Sequence, residues 1–336
     1  MVSKITSLDG IDQIDKSKRI FVAGHLGMVG SAIYECLKRY GFKNIIVADR
    51  SKLNLLNQEE VTNFFARECI DQVYLAAAKV GGINANNTYP ADFIYENIMI
   101  QTNIISAAHK FLVEKLLFLG SSCIYPILAP QPIKEDALLS GVLEATNQAY
   151  AIAKISGIEM CRSYNKQYGT DFRCIMPTNL YGQNDNFHSE NSHVIPSLIQ
   201  KFYKASEQNL PNVEVWGTGL PKREFLHVED LAEASVYVMS IKKDIFFNSL
   251  NTSSPHINIG SGDEISIKEL AEILSTVSGY QGKIIFNSNF PDGVQRKLID
   301  SALIYKFGWK PKIVLEDGLS RTYQWFSKNQ SSLRNN

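Results

Sequence analysis

No charge of either sign predominates in this chain: 34 Lys and Arg residues are matched by 34 Asp and Glu among 336. The basic residues are also dispersed, so the footprint of a nucleic acid or an anionic membrane is absent, and any anion has to be held by a local device. Cysteine is scarce and odd in number. Cys36, Cys69, Cys123, Cys161 and Cys174 have no close metal-ligand spacing. This argues against a disulfide framework and a zinc site, and for reduced thiols in a cytoplasmic setting. No apolar run approaches the ~20 residues of a membrane helix. Met1 to Asp15 is interrupted by Asp9, Asp12 and Asp15 where a secretion signal would be apolar, so residues 1–15 read as a loose N-terminal extension. Fixed-period repeats and low-complexity tracts are lacking as well.

What is present is a chain of 45% hydrophobic residues, long enough for two lobes or one large lobe with an appendage. From Arg19 onward, short β-branched or apolar runs alternate with longer helical patterns, the order of parallel strands joined by crossover helices. The spacing predicts strands at residues 20–23, 45–48, 73–77, 116–119 and 172–176, each apolar enough to be covered on both faces. The expected fold class is therefore α/β, a Rossmann-type doubly wound parallel sheet with a smaller α/β substrate-binding lobe. Residues 16–181 are expected to form the dinucleotide-binding domain. Strands at 224–228 and 256–259, with a helix at 230–239 between them, are expected to return to it, so that 225–260 belongs with that domain. The polar, Asn-rich stretch Gln183 to His193 leads into the second lobe, over 182–330.

After the first expected strand comes Gly24-His-Leu-Gly27-Met-Val-Gly30. In a dinucleotide site the first glycine allows a sharp exit from the strand and the second lets a pyrophosphate approach backbone. The third lets the next helix, here expected at 31–40, pack closely with its N-terminus toward the anion. Glycine turns after strands are common, so this loop gains its weight from lying between a strand and a helix. Asp49 and Arg50 end the second strand, where the adenosine ribose is read. Asp49 suits the free 2′-hydroxyl of NAD and Arg50 the 2′-phosphate of NADP. These two residues leave the cofactor open, and a solvated turn is the plainer alternative.

Tyr150 and Lys154 stand at i and i+4 of a helical pattern that continues through Ile155, Ile158 and Tyr164 and stops at Gly169. On a helix both side chains reach one site. A free tyrosine titrates near ~10, so work near neutrality calls for a neighbouring cation, and Lys154 is placed to supply it. Tyr-x-x-x-Lys alone also arises as an ordinary amphipathic surface pair. Ser121 and Ser122, however, end the fourth strand at the carboxyl edge, where an open parallel sheet places its ligands. Hydroxyl, phenol and ammonium are thus expected beside one cofactor. Such a set moves a proton on or off an oxygen while hydride moves at the attached carbon.

Longer runs sharpen the expectation. They are Gly24 to Ala32, Asp71 to Gly82, Asn86 to Tyr95, Leu119-Gly-Ser-Ser-Cys-Ile-Tyr-Pro126, Met176-Pro-Thr-Asn-Leu-Tyr-Gly182 and Arg223 to Val228. Through them the chain from Lys18 to about Asn329 resembles the extended short-chain dehydrogenase/reductase family, within it the branch acting on GDP-4-keto-6-deoxy sugars. The resemblance implies epimerisation of GDP-4-keto-6-deoxy-D-mannose at C3 and C5, then NADPH-dependent reduction of the C4 ketone to give GDP-L-fucose. It also implies that Ser121, Tyr150 and Lys154 serve the carbonyl and that Cys123 and His193 exchange the protons. Judged alone, Cys123 reads as a small buried residue and His193 as a loop-capping one. Cofactor contacts are implied for Gly24, Gly27, Met28, Val29, Gly30, Asp49, Arg50, Leu119, Gly120, Lys154 and His193.

Lys201, Trp216, Arg223 and Asp292 are implied to contact the GDP-sugar. Arg223 suits diphosphate and Trp216 the nucleotide, while packing between lobes is the plainer reading of all four. Leu26 stands where many members carry a basic residue, and with Asp49 it speaks for NAD; the expectation is that Arg50 suffices for NADPH. A nucleotide-sugar 4-epimerase shares Ser121, Tyr150 and Lys154, and a catalytically silent cofactor-binding sensor shares the fold. A homodimer through the helix starting near Ala91 and the Tyr150 helix is also implied, with Ile94, Ile98 and Ile105 available for contact. No metal and no nucleic-acid or membrane partner is expected.

Overall fold

A computed structural model of the chain describes residues 14–187, 192–250, 254–290 and 292–330; all but the last two residues of the expected N-terminal extension lie outside the described residues. β1 (Arg19–Ala23), β2 (Asn44–Ile46), β3 (Gln72–Leu75), β4 (Lys115–Leu119) and β5 (Phe172–Pro177) run parallel in one sheet. The chain then forms β6 (Asn179–Tyr181), β7 (Asn212–Trp216) and β8 (Lys222–His227) outside that sheet before returning to it as β9 (His256–Ile259). The order β2-β1-β3-β4-β5-β9 reverses direction between β1 and β3. At such a switch point the loops after the two strands diverge and leave a crevice beyond the carboxyl ends.

Successive strand residues face opposite sides of the sheet, and both sides are apolar. Phe21, Val73, Leu116, Phe118 and Phe172 share a core with Ile100 and Ile104 of helix Pro90–Lys110 and with Ile155 and Ile158 of helix Gln148–Tyr168. Ile20, Val22, Leu117, Leu119 and Ile257 meet Ile33 and Leu37 of helix Met28–Arg39 and Leu231 and Val236 of helix Val228–Ser240. Spacings of three and four residues put the side chains named on the first three of these helices on one face, whereas helix Val228–Ser240 is buried nearly all round. Helix Met28–Arg39 starts earlier than expected, because Gly27 takes the N-cap position and Gly30 falls in the first turn. Helix Gln148–Tyr168 ends at Gly169 in the left-handed conformation, the role a C-terminal glycine fills without a Cβ penalty.

The remaining elements surround a third core. β10 (Glu264–Ser266) and β12 (Arg296–Lys297) flank β8, which also pairs with β6, while β11 (Lys283–Asn287) pairs with β7. Leu198, Ile199 and Phe202 of helix Val194–Glu207 pack here with Leu270 and Leu274 of helix Ile267–Ser278 and with Leu319 and Phe326 of helix Leu315–Asn329. Helix Ile267–Ser278 opens on a capping box, Ser266 with Glu269, which satisfies two otherwise orphaned amides.

Two expectations are corrected. The strand expected at 224–228 does not return to the large sheet: β8 pairs along β6 and β10 instead, and only β9 rejoins. Ile105, expected to be available to a second subunit, is fully buried in the core of this chain. It lies on the sheet-facing side of its helix with Ile104 and Ala108.

Candidate active site

The glycine loop wraps the end of β1. Gly24 has φ +86°, and a Cβ there would fall 2.7 Å from the Ala77 amide nitrogen at the end of β3. Gly27 donates its N–H to the Gly24 carbonyl at 3.0 Å, and a Cβ on Gly30 would lie 2.1 Å from that same oxygen. Both outer glycines are therefore required by the protein's own backbone. Gly27 differs. A Cβ there would make only ordinary contact with the protein, at 3.5 Å, while Gly27 borders the cleft. The space it leaves serves something outside the chain, at a helix start with no acidic side chain in its first turn. That fits an anionic pyrophosphate.

The cleft has a volume of about 1940 Å³, beyond the usual range of roughly 300–1,000 Å³ for one small ligand, so it has room for two. It runs from the glycine loop past Ser121 and Tyr150 to Trp216 and Arg223. Met28, Val29, Leu119 and Gly120 line it with the glycines.

Asp49 and Arg50 both reach the cleft, but their partners differ from a simple ribose reader. Asp49 accepts from the Ser51 amide at 3.0 Å, the Ser51 hydroxyl at 2.5 Å and the Lys52 amide at 3.2 Å. These bonds hold its pKa below the usual value, so its charge is spent on closing the turn after β2. Arg50 is largely exposed and faces Glu96 at 3.5 Å. Lys79 binds the same Glu96 at 2.6 Å and Asp92 at 3.1 Å. Leu26 is half exposed at this rim.

Ser121, Cys123, Tyr150 and Lys154 converge at the end of β4. Ser121 begins a short 3-10 turn, Ser122–Ile124, in which its oxygen accepts from the Cys123 amide at 3.3 Å. Its hydroxyl donates to the Cys123 sulfur at 3.1 Å. A turn thus joins Ser121 and Cys123, through local serine-to-backbone bonding. Tyr150 lies edge-on to Phe93, ring centroids 6.3 Å apart. Burial, reinforced by Cys123, raises the phenol's pKa well above its usual value, with a hydrogen bond to Ser121 pulling the other way. The phenol therefore stays protonated through the neutral range.

Lys154 is buried, and its ammonium donates to the Leu119 carbonyl at 2.8 Å. Its nitrogen is 5.8 Å from the centre of the Tyr150 ring. Desolvation lowers its pKa to about 8. Lys154 therefore does not depress the phenol's pKa here as expected; it is itself held near titration. A lysine whose folded pKa is lowered costs stability below that pKa, and the cost fades as pH rises toward the unfolded value of ~10.4. Lys154→Met is accordingly expected to be more stable than the parent at pH 7, by on the order of 1–3 kcal/mol, and inactive. The stability gap should narrow by pH 9.5. Urea unfolding of both proteins at the two pH values checks this, and a variant less stable at pH 7 contradicts it.

His193 is the N-cap residue of helix Val194–Glu207 and lines the cleft. Its side chain is reachable from the cleft but crowded by protein, and desolvation lowers its pKa, leaving a neutral imidazole with one donor and one acceptor. At the far end, Trp216 stacks on Phe290 with centroids 4.4 Å apart. Asp292 accepts from the Thr218 amide at 2.9 Å and hydroxyl at 2.7 Å, pinning the turn after β7. Burial lowers the pKa of Arg223, with Glu144 and Asp292 opposing the shift. Trp216, Arg223 and Asp292 border the cleft, whereas Lys201 does not. Its ammonium is drawn to the Glu214 carbonyl at 2.9 Å and sits 4.9 Å from the centre of the Trp216 ring.

Several cleft residues were not singled out from sequence. Lys79 follows the end of β3 and had the same positional signal as Ser121 after β4. Asp185, whose burial raises its pKa to about 7, Asn86 and Asn147 gave no such signal, because polar residues in loops and short helices are common.

Comparison with known proteins places this geometry. Residues 20–260 match the family described as the NAD dependent epimerase/dehydratase family. The chain is 56% identical over 317 residues to GDP-L-fucose synthase of Escherichia coli K12, covering 94% of this chain and 99% of that one. It is 54% identical to GDP-L-fucose synthase 1 of Arabidopsis thaliana, covering 94% and 95%. Among solved structures, a GDP-6-OMe-4-keto-L-xylo-heptose reductase from C. jejuni superposes with TM-score 0.88 at 38% identity, covering 94% of this chain and 99% of that chain. An NADP-bound GDP-L-fucose synthetase from Naegleria fowleri gives 0.85 at 26%, covering 96% and 98%. Match over most of the chain, together with the glycine loop and the Ser121–Tyr150–Lys154 cluster, means that this protein belongs to the NAD dependent epimerase/dehydratase family.

Proposed function

We propose that the chain converts GDP-4-keto-6-deoxy-D-mannose to GDP-L-fucose, inverting C3 and C5 and reducing the C4 ketone with NADPH. The observation that carries this reading is the joining of Cys123 to Ser121 by a 3.1 Å hydrogen bond, beside Tyr150 in a cleft that His193 also lines. A simple reductase needs the hydroxyl, phenol and ammonium; the extra thiol and imidazole supply proton exchange.

The chemistry follows from the carbonyl. C3–H and C5–H flank C4, so each becomes acidic when charge developing on the C4 oxygen is stabilised. Ser121 and Tyr150 donate to that oxygen. Cys123 and His193 withdraw a proton from one face of each carbon and return one to the other. The same phenol then finishes the reaction: Tyr150, kept protonated by burial, gives its proton to the C4 oxygen as the carbonyl becomes an alcohol. When bound, the reduced nicotinamide supplies hydride to C4. The glycine loop holds its pyrophosphate, Lys154 orients its ribose, and Met28, Val29, Leu119, Gly120 and His193 line its path. Arg50 receives the 2′-phosphate; Asp49 stabilises the adjoining turn. Arg223 takes the diphosphate of the GDP-sugar and Trp216 its base, with Asp292 fixing the loop between them and Lys201 supporting Trp216. The nucleotide-binding part comprises 16–181 with the return of β9, and the sugar-binding part most of 182–330. Two copies pair through helices Pro90–Lys110 and Gln148–Tyr168, which present exposed Tyr95 and half-exposed Ile152.

Incubation with GDP-4-keto-6-deoxy-D-mannose and NADPH, followed by identification of the nucleotide sugar, tests this reading. The expected product is GDP-L-fucose with one NADPH oxidised per sugar; product without net oxidation would mark an epimerase instead. NADPH is expected to give the higher kcat/KM. Because Glu96 and Asp92 offset Arg50 and Lys79 at the rim, the preference over NADH should be modest, about 10-fold. Equal use of NADH contradicts the role of Arg50.

A further inference from the structure

Two amide oxygens in the cleft wall have no partner among the described residues, and both amides are held in a fixed orientation. Asn86 is 7% exposed, and its NH2 donates to the Gly81 carbonyl at 2.8 Å and the Gly82 carbonyl at 3.0 Å. Its Oδ1 is buried without a hydrogen bond. Asn147 donates its NH2 to Glu144 Oε2 at 2.8 Å, and its Oδ1 is likewise buried and unpartnered. In each case the donor end is committed, so the acceptor end is left over. Helix Ile83–Thr88 and the turn Ala145–Asn147 pack against each other, and both asparagines line the cleft. Asn147 is also the N-cap residue of the helix that carries Tyr150, three residues before it.

A buried acceptor without a donor costs about as much as a lost hydrogen bond, and native proteins seldom tolerate it without a reason. Here two occur on adjoining elements beside the phenol. We propose that Asn86 and Asn147 are specificity residues that accept hydrogen bonds from the C2 and C3 hydroxyls of the hexose. A hydroxyl is the matching chemistry: it is a neutral donor, whereas the phosphates of either nucleotide offer only acceptors at neutral pH. The C2 hydroxyl neighbours C3 and the C3 hydroxyl is borne by it, so these bonds orient the ring before C3 is inverted. This rests on the function proposed above.

The test uses the full chain with the natural GDP-4-keto-6-deoxy sugar and its 2-deoxy and 3-deoxy analogues, measuring kcat/KM for each and NADPH affinity separately. The parent enzyme is expected to lose about 10–100-fold with at least one analogue. Asn147→Ala and Asn86→Ala should each lose a similar factor with the natural sugar, little more with the analogue that lacks the hydroxyl partner of the residue removed, and nothing in NADPH affinity. A merely structural role would lower both sugars equally, and that result overturns the proposal. Undiminished turnover of both analogues by the parent enzyme also overturns it while leaving the proposed function intact. Failure to turn over the natural sugar removes both. If Asn86→Ala does not fold, because it releases two backbone carbonyls, Asn147→Ala decides the matter.

Discussion

Tyr150→Phe is expected to lower the rate of C4 reduction by about 10³-fold or more, since it removes both a proton donor and an oxyanion contact. The ring itself would stay, still edge-on to Phe93, and the cost to stability should be small because one hydrogen bond to Ser121 is lost along with the buried hydroxyl. The loss should fall on kcat rather than on NADPH binding, for which Tyr150 carries no charge. Exchange of C3 and C5 protons with solvent should suffer less, because Ser121 continues to donate to the C4 oxygen. Single-turnover absorbance at 340 nm, with deuterium uptake followed on the same samples, separates these steps. Reduction within 10-fold of the parent would remove the phenol from the mechanism.

The second large effect belongs to Cys123→Ser. A serine oxygen can keep the hydrogen bond that Ser121 makes to the sulfur, so the turn Ser122–Ile124 should remain. What is lost is a thiol, a far better proton carrier near neutrality than an alcohol. Deuterium uptake at the epimerised carbons is expected to fall about 10²- to 10⁴-fold. Hydride transfer to the substrate that has not been inverted should continue at a reduced rate and yield a 6-deoxy sugar of different configuration. Unchanged deuterium uptake would refute the role of Cys123. Together the two variants divide the reaction at its natural seam, carbonyl chemistry on one side and carbon acidity on the other.

The features legible in the sequence were those set by short-range physics. β1, the glycine loop and the Tyr150 helix with its terminal Gly169 follow from periodicity and from glycine's conformational freedom, and all three occur where expected. β8 was legible as a strand but not in its partnership. Lys222–His227 carries no mark that selects β6 and β10 over the large sheet, because strand choice is decided by long-range packing. Side-chain directions were hidden for the same reason. Lys201 turns to the Glu214 carbonyl of β7, and Lys154 to the end of β4 instead of the phenol. The sequence separations, 13 and 35 residues, lie beyond what local spacing reports. Ser121 was expected at the end of the fourth strand and is found just past it, where the turn Ser122–Ile124 joins it to Cys123.

Glu224 gives the site a fixed hinge post. Fully buried in β8, it receives the Gly262 amide at 2.8 Å and the Ile299 amide at 3.2 Å on its carboxylate, while its carbonyl takes Thr178 and Asn179. Three separate stretches of chain are thereby fastened to the residue next to Arg223. Adaptation to longer or bulkier nucleotide sugars therefore has little freedom at this anchor. It has to proceed through the outer rim, where Leu220 and Phe290 face solvent, so descendants with new sugar preferences should differ there first and leave β8 untouched.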